Sequence, residues 1–212
     1  MLKILYVDSQ IVVCVKPAGV LSQDVGERSM PQLLKQQLGV EYVGVVHRLD
    51  KEVGGVMVYA LSQKAAADLS RAVQEHRLEK IYEAVLRGVP KEPSAVLEDL
   101  LFHDKNRNKT YVVNRQRKGV KDARLEYEVL KAGKDRALIR VRLHTGRTHQ
   151  IRVQFASRGI PLVGDGKYGG KEPGVPLCLW SCQLSFDHPV TKKPMAFSQK
   201  PVWLEEYSEW FT

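Results

Sequence analysis

The chain has 212 residues, 43% of them hydrophobic and 27% charged, the profile of an ordinary globular protein long enough to bury its own core. Its 33 Lys and Arg exceed 24 Asp and Glu, giving a net charge of +9 that fits a polyanionic partner, nucleic acid first and an anionic membrane surface second. No stretch approaches the apolar length of a membrane-spanning helix.

In chain order, Leu2 to Tyr6 and Ile11 to Lys16 are β-rich runs around Asp8-Ser9, which predicts a hairpin, and Pro17-Ala18-Gly19 then turns the chain. Lys3 and Asp8 interrupt this start and no small-residue cleavage site follows, so no secretory leader is read here and a cytoplasmic protein is expected. Met30-Pro31 opens a helix, with Ser29 as its cap, Leu33, Leu34 and Leu38 on one side and Gly39 as its stop. An apolar run from Val43 to Ala60 follows, broken by Val46-His47-Arg48-Leu49-Asp50-Lys51, which sets one acid among basic neighbours.

Ser62 caps a second helix in which Ala66, Leu69 and Val73 recur at helical spacing. Leu78 to Val89 switches to strand content, placing Lys80, Tyr82 and Ala84 on one side and Ile81, Glu83 and Val85 on the other. Residues 104 to 121 carry seven Lys or Arg, among them Arg115, Arg117 and Lys118, around Val112-Val113, which reads as a basic hairpin or arm that meets phosphates.

Leu125 to Leu130 and Ala137 to Leu143 alternate as strands, with Ile139, Val141 and Leu143 inward and Arg140, Arg142 and His144 outward. The segment Leu143 to Arg152 then concentrates His144, Thr145, Arg147, Thr148, His149, Gln150 and Arg152, far more polar chemistry than a core element needs. Thr148 is read as the cap of a helix running to Gly159, with Ile151 and Phe155 inward and Arg152 toward solvent, which sets Arg147 and Thr148 at an anion-favouring helix N-terminus. Gly164 to Pro176 is a Gly- and Pro-rich loop, and Leu184 to Phe197 a last hairpin around Pro189 to Pro194. Strands outnumber helices and are mostly hairpin-connected, which predicts an α+β fold with a mixed, largely antiparallel sheet and flanking helices.

The chemistry on offer is sparse. No second carboxylate accompanies Asp50, since Glu52 would point to the opposite face of a strand, so the paired-acid arrangement of glycosidases is not visible. No phosphate loop, nucleophile elbow or zinc helix is present, and Cys14, Cys178 and Cys182, odd in number and without zinc spacing, read as buried free thiols. A single carboxylate can still act on a sugar anomeric centre if a cation keeps it charged. Arg147 is the natural cation, able to hold a carboxylate at two points, and Tyr82 can stack on a base and bond to it.

These residues resemble the RluA-type pseudouridine synthases, across nearly the whole chain. Lys16-Pro17-Ala18-Gly19 is similar to the family's N-terminal turn, and His47-Arg48-Leu49-Asp50 to its catalytic motif. Lys80-Ile81-Tyr82-Glu83-Ala84 looks like the Lys-x-Tyr-x-Ala strand, and Gly146 to Arg152 like the Gly-Arg-Thr-His-Gln-hydrophobic-Arg motif. Gly164-Asp165 with Tyr168-Gly169 resembles the Gly-Asp-x-x-Tyr-Gly loop, and Leu184-Ser185-Phe186 before His188-Pro189 the last strand and turn.

The resemblance implies one catalytic domain over 1–212, two lobes around a central cleft, and isomerisation of uridine in structured RNA, ribosomal or transfer, without metal or organic cofactor. Asp50 would then be the essential carboxylate, attacking the sugar or steering its deprotonation, with Arg147 as its ion-pair partner and Tyr82 stacked on the uracil. Arg48 would fill the gap left by the flipped nucleotide. His47, Lys80, Thr148 and Gln150 join Arg115, Arg117 and Lys118 as candidate RNA-binding residues. His47, His144 and His149 are read as hydrogen-bonding scaffold rather than acid or base. A monomer with no obligate protein partner is expected.

Two departures from the family are visible. Val53-Gly54-Gly55 stands where Thr-Ser-Gly is usual, for which a packing difference is expected. Many relatives carry a small RNA-binding domain ahead of this turn, whereas here the turn comes by Lys16, so binding is expected to fall on the catalytic domain itself, at the basic segment 104 to 121. The competing functions are a non-catalytic RNA-binding protein on the same scaffold and a nucleoside or glycoside hydrolase.

Overall fold

The computed structural model describes residues 1–25 and 28–211. In chain order it runs β1 (Lys3–Val7), β2 (Ile11–Lys16), α1 (Met30–Leu38), β3 (Gly44–Val45), β4 (Gly54–Ala60), α2 (Gln63–Gln74) and β5 (Glu79–Arg87). There follow β6 (Ser94–Asp104), β7 (Lys109–Val113), β8 (Val120–Ala132), β9 (Arg136–Leu143), α3 (Gln150–Ala156), β10 (Leu179–Asp187), β11 (Pro194–Ser198) and a 3-10 turn at Ser208–Phe211. The mixed sheet with few helices is the expected α+β class. The chain divides into two compact units, Met1–Lys80 with Trp180–Pro201 and Ile81–Leu179 with Val202–Thr212.

In the first unit the strand order is β1-β2-β4-β10, with β3 on β4 and β11 on β10. Within it β4 and β10 run parallel, through Gly54↔Trp180 and Gly55↔Ser181. Strand β4 is buried along its whole length, as its Val-Met-Val-Tyr-Ala content requires of a strand covered on both faces. One face packs Ile11, Val13, Val56, Val58 and Leu184 against Ala65 and Leu69 of α2. That helix starts as read, with Ser62 Oγ accepting the Ala65 N–H at 3.1 Å. Helix α1 has Pro31 in its first turn and ends at Gly39 in the left-handed region (φ 67), but the Ser29 hydroxyl makes no capping bond.

The second unit orders its strands β5-β9-β8-β6-β7, all antiparallel. On one face Glu83, Arg140 and Glu128 stand in register across three strands, with Arg140 Nη1 donating to Glu128 at 2.9 Å. The other face carries Tyr82, Val141 and Tyr127, and α3 covers it, Phe155 meeting the Tyr127 ring edge-on at 5.4 Å. Val153 of α3 joins Leu101 and Ala123 in a smaller core.

Strand β6 was not anticipated. It lies between β7 and β8, so the basic segment is no self-contained hairpin: β7 pairs with β6, Lys105 and Arg107 sit in the turn 105–108, Arg115, Arg117 and Lys118 in the loop 114–119, and Lys109 and Lys121 on β7 and β8. Helix α3 is also shorter than read, and begins after His149 rather than Thr148. No helix among the described residues is long and apolar enough to cross a membrane, and the three cysteines are buried free thiols.

Candidate active site

In the first unit, Asp50 lies half-buried in the turn that leads into β4. The residues on either side of it are tied down. Ser22 Oγ donates to the Leu49 carbonyl at 2.8 Å, and the Leu49 N–H returns to that hydroxyl at 3.3 Å. On the far side, Lys16 Nζ donates to the Lys51 carbonyl at 3.0 Å and to the carbonyls of Pro17 and Val20 at 2.9 and 2.6 Å. All three ammonium protons are thereby used, which explains how a lysine can be wholly buried at the end of an apolar strand. Burial pulls Lys16 down to about 8, while Glu52 and Asp50 pull it the other way, so it remains a cation at neutral pH.

The Gly19 N–H also reaches the Lys51 carbonyl, at 2.8 Å, and Val53 N–H closes the turn on the Asp50 carbonyl at 3.1 Å. Glu52 therefore sits in a turn, not on the opposite face of a strand, and both acids bear on Lys16. Gly54 is explained by its neighbour: a Cβ there would lie 2.3 Å from Trp180 Cζ3. The Ser usual in the resembling family does not fit against this Trp.

His47 is buried and its Nε2 accepts the Val58 N–H at 3.1 Å. Burial, with the nearby Lys80 charge, pushes it down to about 3, so it is a neutral scaffold group. Lys80 is lowered by burial too. Arg48 is exposed and donates through Nη1 to Gln23 at 3.1 Å.

In the second unit, Tyr82 is buried on β5 opposite Val141 of β9. Arg147 lies on the loop between β9 and α3, its Nε donating to the Asp122 carbonyl of β8 at 2.8 Å. Gln150 holds that loop. Its Oε1 accepts the Thr145 hydroxyl at 2.8 Å and the Arg147 N–H at 3.0 Å, and its Nε2 donates to the Arg124 carbonyl at 3.1 Å. Buried and spent on these bonds, Gln150 shapes the loop.

Two readings are corrected here. Thr148 caps nothing: His149 precedes α3 in the left-handed region (φ 55), and the Arg147 N–H is already taken, so no anion-binding helix start forms. Nor does Arg152 face solvent. It is 6% exposed and meets Asp165 at two points, Nε to Oδ2 at 2.7 Å and Nη2 to Oδ1 at 2.8 Å. Asp165 Oδ1 further accepts the N–H groups of Lys167 and Tyr168, so the Gly-Asp-x-x-Tyr-Gly loop is moored to α3.

Arg115, Arg117 and Lys118 are exposed on the loop between β7 and β8, the Arg117 guanidinium lying 4.8 Å from the Phe102 ring centre. Sequence reasoning passed over Ser22 and Thr110, and named Thr145 only as part of a polar cluster, because their partners lie far away in the chain.

Residues 10–157 match the RNA pseudouridylate synthase family. An RNA pseudouridine synthase of Aquifex aeolicus, not characterised further, is 37% identical over 98% of this chain and 74% of its own length. The ribosomal large subunit pseudouridine synthase D of Pseudomonas aeruginosa is 36% identical over 80% of this chain, which spans 54% of that relative. Among solved structures, human RNA pseudouridylate synthase domain containing 4 superposes with a TM-score of 0.79 at 26% identity, covering 96% of this chain and 90% of its own. The chain belongs to the RNA pseudouridylate synthase family. It is an isomerase that converts uridine in RNA to pseudouridine.

Proposed function

We propose that Asp50 is the carboxylate that acts on the ribose, that Arg147 supplies the cation that keeps it charged, and that Tyr82 stacks on the uracil and assists proton removal from C5. The reaction breaks the N1–C1′ bond, turns the freed uracil in place and joins C5 to C1′; the C5 proton leaves and N1 gains one. The observation that carries this reading is the two-sided tether of Asp50. A fully buried lysine and a buried serine spend their bonds on the carbonyls of residues 51 and 49, which is costly scaffolding for a turn with no task.

Substrate RNA is held by the exposed loop 114–119 through Arg115, Arg117 and Lys118, with Arg48 entering the space of the flipped nucleotide and Lys80 and Thr148 adding contacts to the RNA, while buried His47 stays a scaffold residue. Large-subunit ribosomal RNA is the substrate class this reading favours, supported by the names of the relatives of Pseudomonas aeruginosa and Zymomonas mobilis. The enzyme acts as a cytoplasmic monomer without metal, cofactor or protein partner. Mapping pseudouridines in cellular RNA with and without the protein tests this. Loss of one or a few positions in large-subunit ribosomal RNA is expected; an unchanged map there contradicts it.

A further inference from the structure

Thr110 is an odd residue for a basic edge strand. It is 1% exposed, and its hydroxyl donates away from the sheet, to the Thr148 carbonyl at 2.8 Å, one residue beyond Arg147. A threonine has one hydroxyl proton, so the His103 Nδ1 at 3.0 Å must be the donor of the other bond to Thr110 Oγ1. The Thr110 N–H meanwhile donates to the Tyr168 hydroxyl at 2.7 Å. Burial raises the Tyr168 phenol, which stays protonated, and its hydroxyl is hydrogen-bonded to His149 Nδ1 at 2.9 Å.

The bonds therefore form two ordered chains that cross at Thr110. One runs from His103 through Thr110 to the Thr148 carbonyl. The other runs from the Thr110 backbone through Tyr168 to His149, whose left-handed backbone (φ 55) is strained in a non-glycine residue and persists only where neighbours hold it. Tyr168 is itself fixed, its N–H on Asp165 and the Arg152 guanidinium 5.3 Å from its ring centre.

We propose that Thr110 and Tyr168 are positioning residues for the isomerisation, locking the loop that presents Arg147 to the basic β6–β7 hairpin so that the two move as one body. This rests on the role given above to Arg147. The loop is then gripped from two strands: Gln150 ties residues 145 and 147 toward β8, and Thr110 ties residues 148 and 149 to β7. Without the second grip, the Arg147 backbone keeps its path but loses its register, and shifts on the scale of 1 Å cost roughly a hundredfold in rate.

Thr110→Val, which keeps shape and removes the hydroxyl, tests this beside Thr110→Ser, Tyr168→Phe and the Thr110→Val/Tyr168→Phe pair, all on tritium release from C5-labelled uridine RNA. The expected result for Thr110→Val and Tyr168→Phe is a fall in kcat of at least tenfold with KM within twofold. Thr110→Ser should recover to within threefold of the parent, and the double variant should be little worse than either single one. A raised KM with unchanged kcat, strictly additive losses, or no loss at all overturns the proposal. Arg147→Ala in the same assay separates the two readings. If it abolishes turnover while Thr110→Val does nothing, the lock is wrong and the role of Arg147 stands; if it retains turnover, the role of Arg147 fails and the lock with it.

Discussion

Arg152 and Asp165 form a two-point ion pair inside the second unit, with side-chain exposures of 8% and 0%. Removing one partner strands a buried charge. Asp165→Asn is therefore expected to cost about 3–5 kcal/mol in urea unfolding, whereas an apolar pair of similar volume, Arg152→Met with Asp165→Leu, should cost less. An Asp165→Asn loss below about 1 kcal/mol would place the pair among weak surface bridges.

Gly54 and Trp180 are predicted to be coupled. A Cβ at 54 would lie 2.3 and 2.8 Å from two carbons of the Trp180 ring, so Gly54→Ser should cost about 1–3 kcal/mol by overpacking. In a Trp180→Leu background the same change should cost less than half as much. Equal costs in the two backgrounds, read by a double-mutant cycle, contradict this packing.

How far these features could be read from the sequence depends on the range of the forces behind them. The first hairpin, α1, α2 and the last hairpin follow from local patterns: Ser62 caps, Gly39 stops, and alternation marks the strands. Strand β6 escaped because Leu97-Glu98-Asp99-Leu100-Leu101 has no clean period. Its acids are settled by distant partners, Glu98 opposite Arg124 and Asp99 against Arg158. Helix α3 misled for the opposite reason. It is buried almost all round, so no polar face marks its rotation, and Arg152 turns inward because Asp165 waits there. The motif segments stand out by their density of polar side chains, but the tethers from Ser22, Thr110 and Thr145 link residues 21 to 38 positions apart that no spacing rule connects.

His47 makes stability depend on acid. Its folded value near 3 lies far below the unfolded one of about 6.5, so between these the unfolded chain binds the proton and the folded one does not. Stability then falls as pH drops from about 6.5 toward 3, by about 1.4 kcal/mol per unit from this group alone, with no contribution above that window. Between pH 7 and pH 5 the parent should lose about 2 kcal/mol more than His47→Gln in urea unfolding. Parallel losses would show that His47 is protonated in the folded protein.

The exposed cations of the 114–119 loop should govern the electrostatic part of RNA binding. Reversing Arg115, Arg117 and Lys118 to Glu is expected to weaken binding and to flatten the dependence of log affinity on log salt, by about 0.7–0.9 for each phosphate no longer neutralised. The unfolding midpoint should hardly move, since all three side chains face solvent. An unchanged salt slope removes this loop from the RNA interface.

Asp50→Asn carries the heaviest test, because it exchanges one oxygen for nitrogen in a turn that Lys16 and Ser22 hold through its neighbours' carbonyls. Tritium release from C5-labelled uridine RNA should disappear in this variant while RNA affinity stays within a few-fold of the parent. Turnover within tenfold of the parent would contradict the role of this carboxylate.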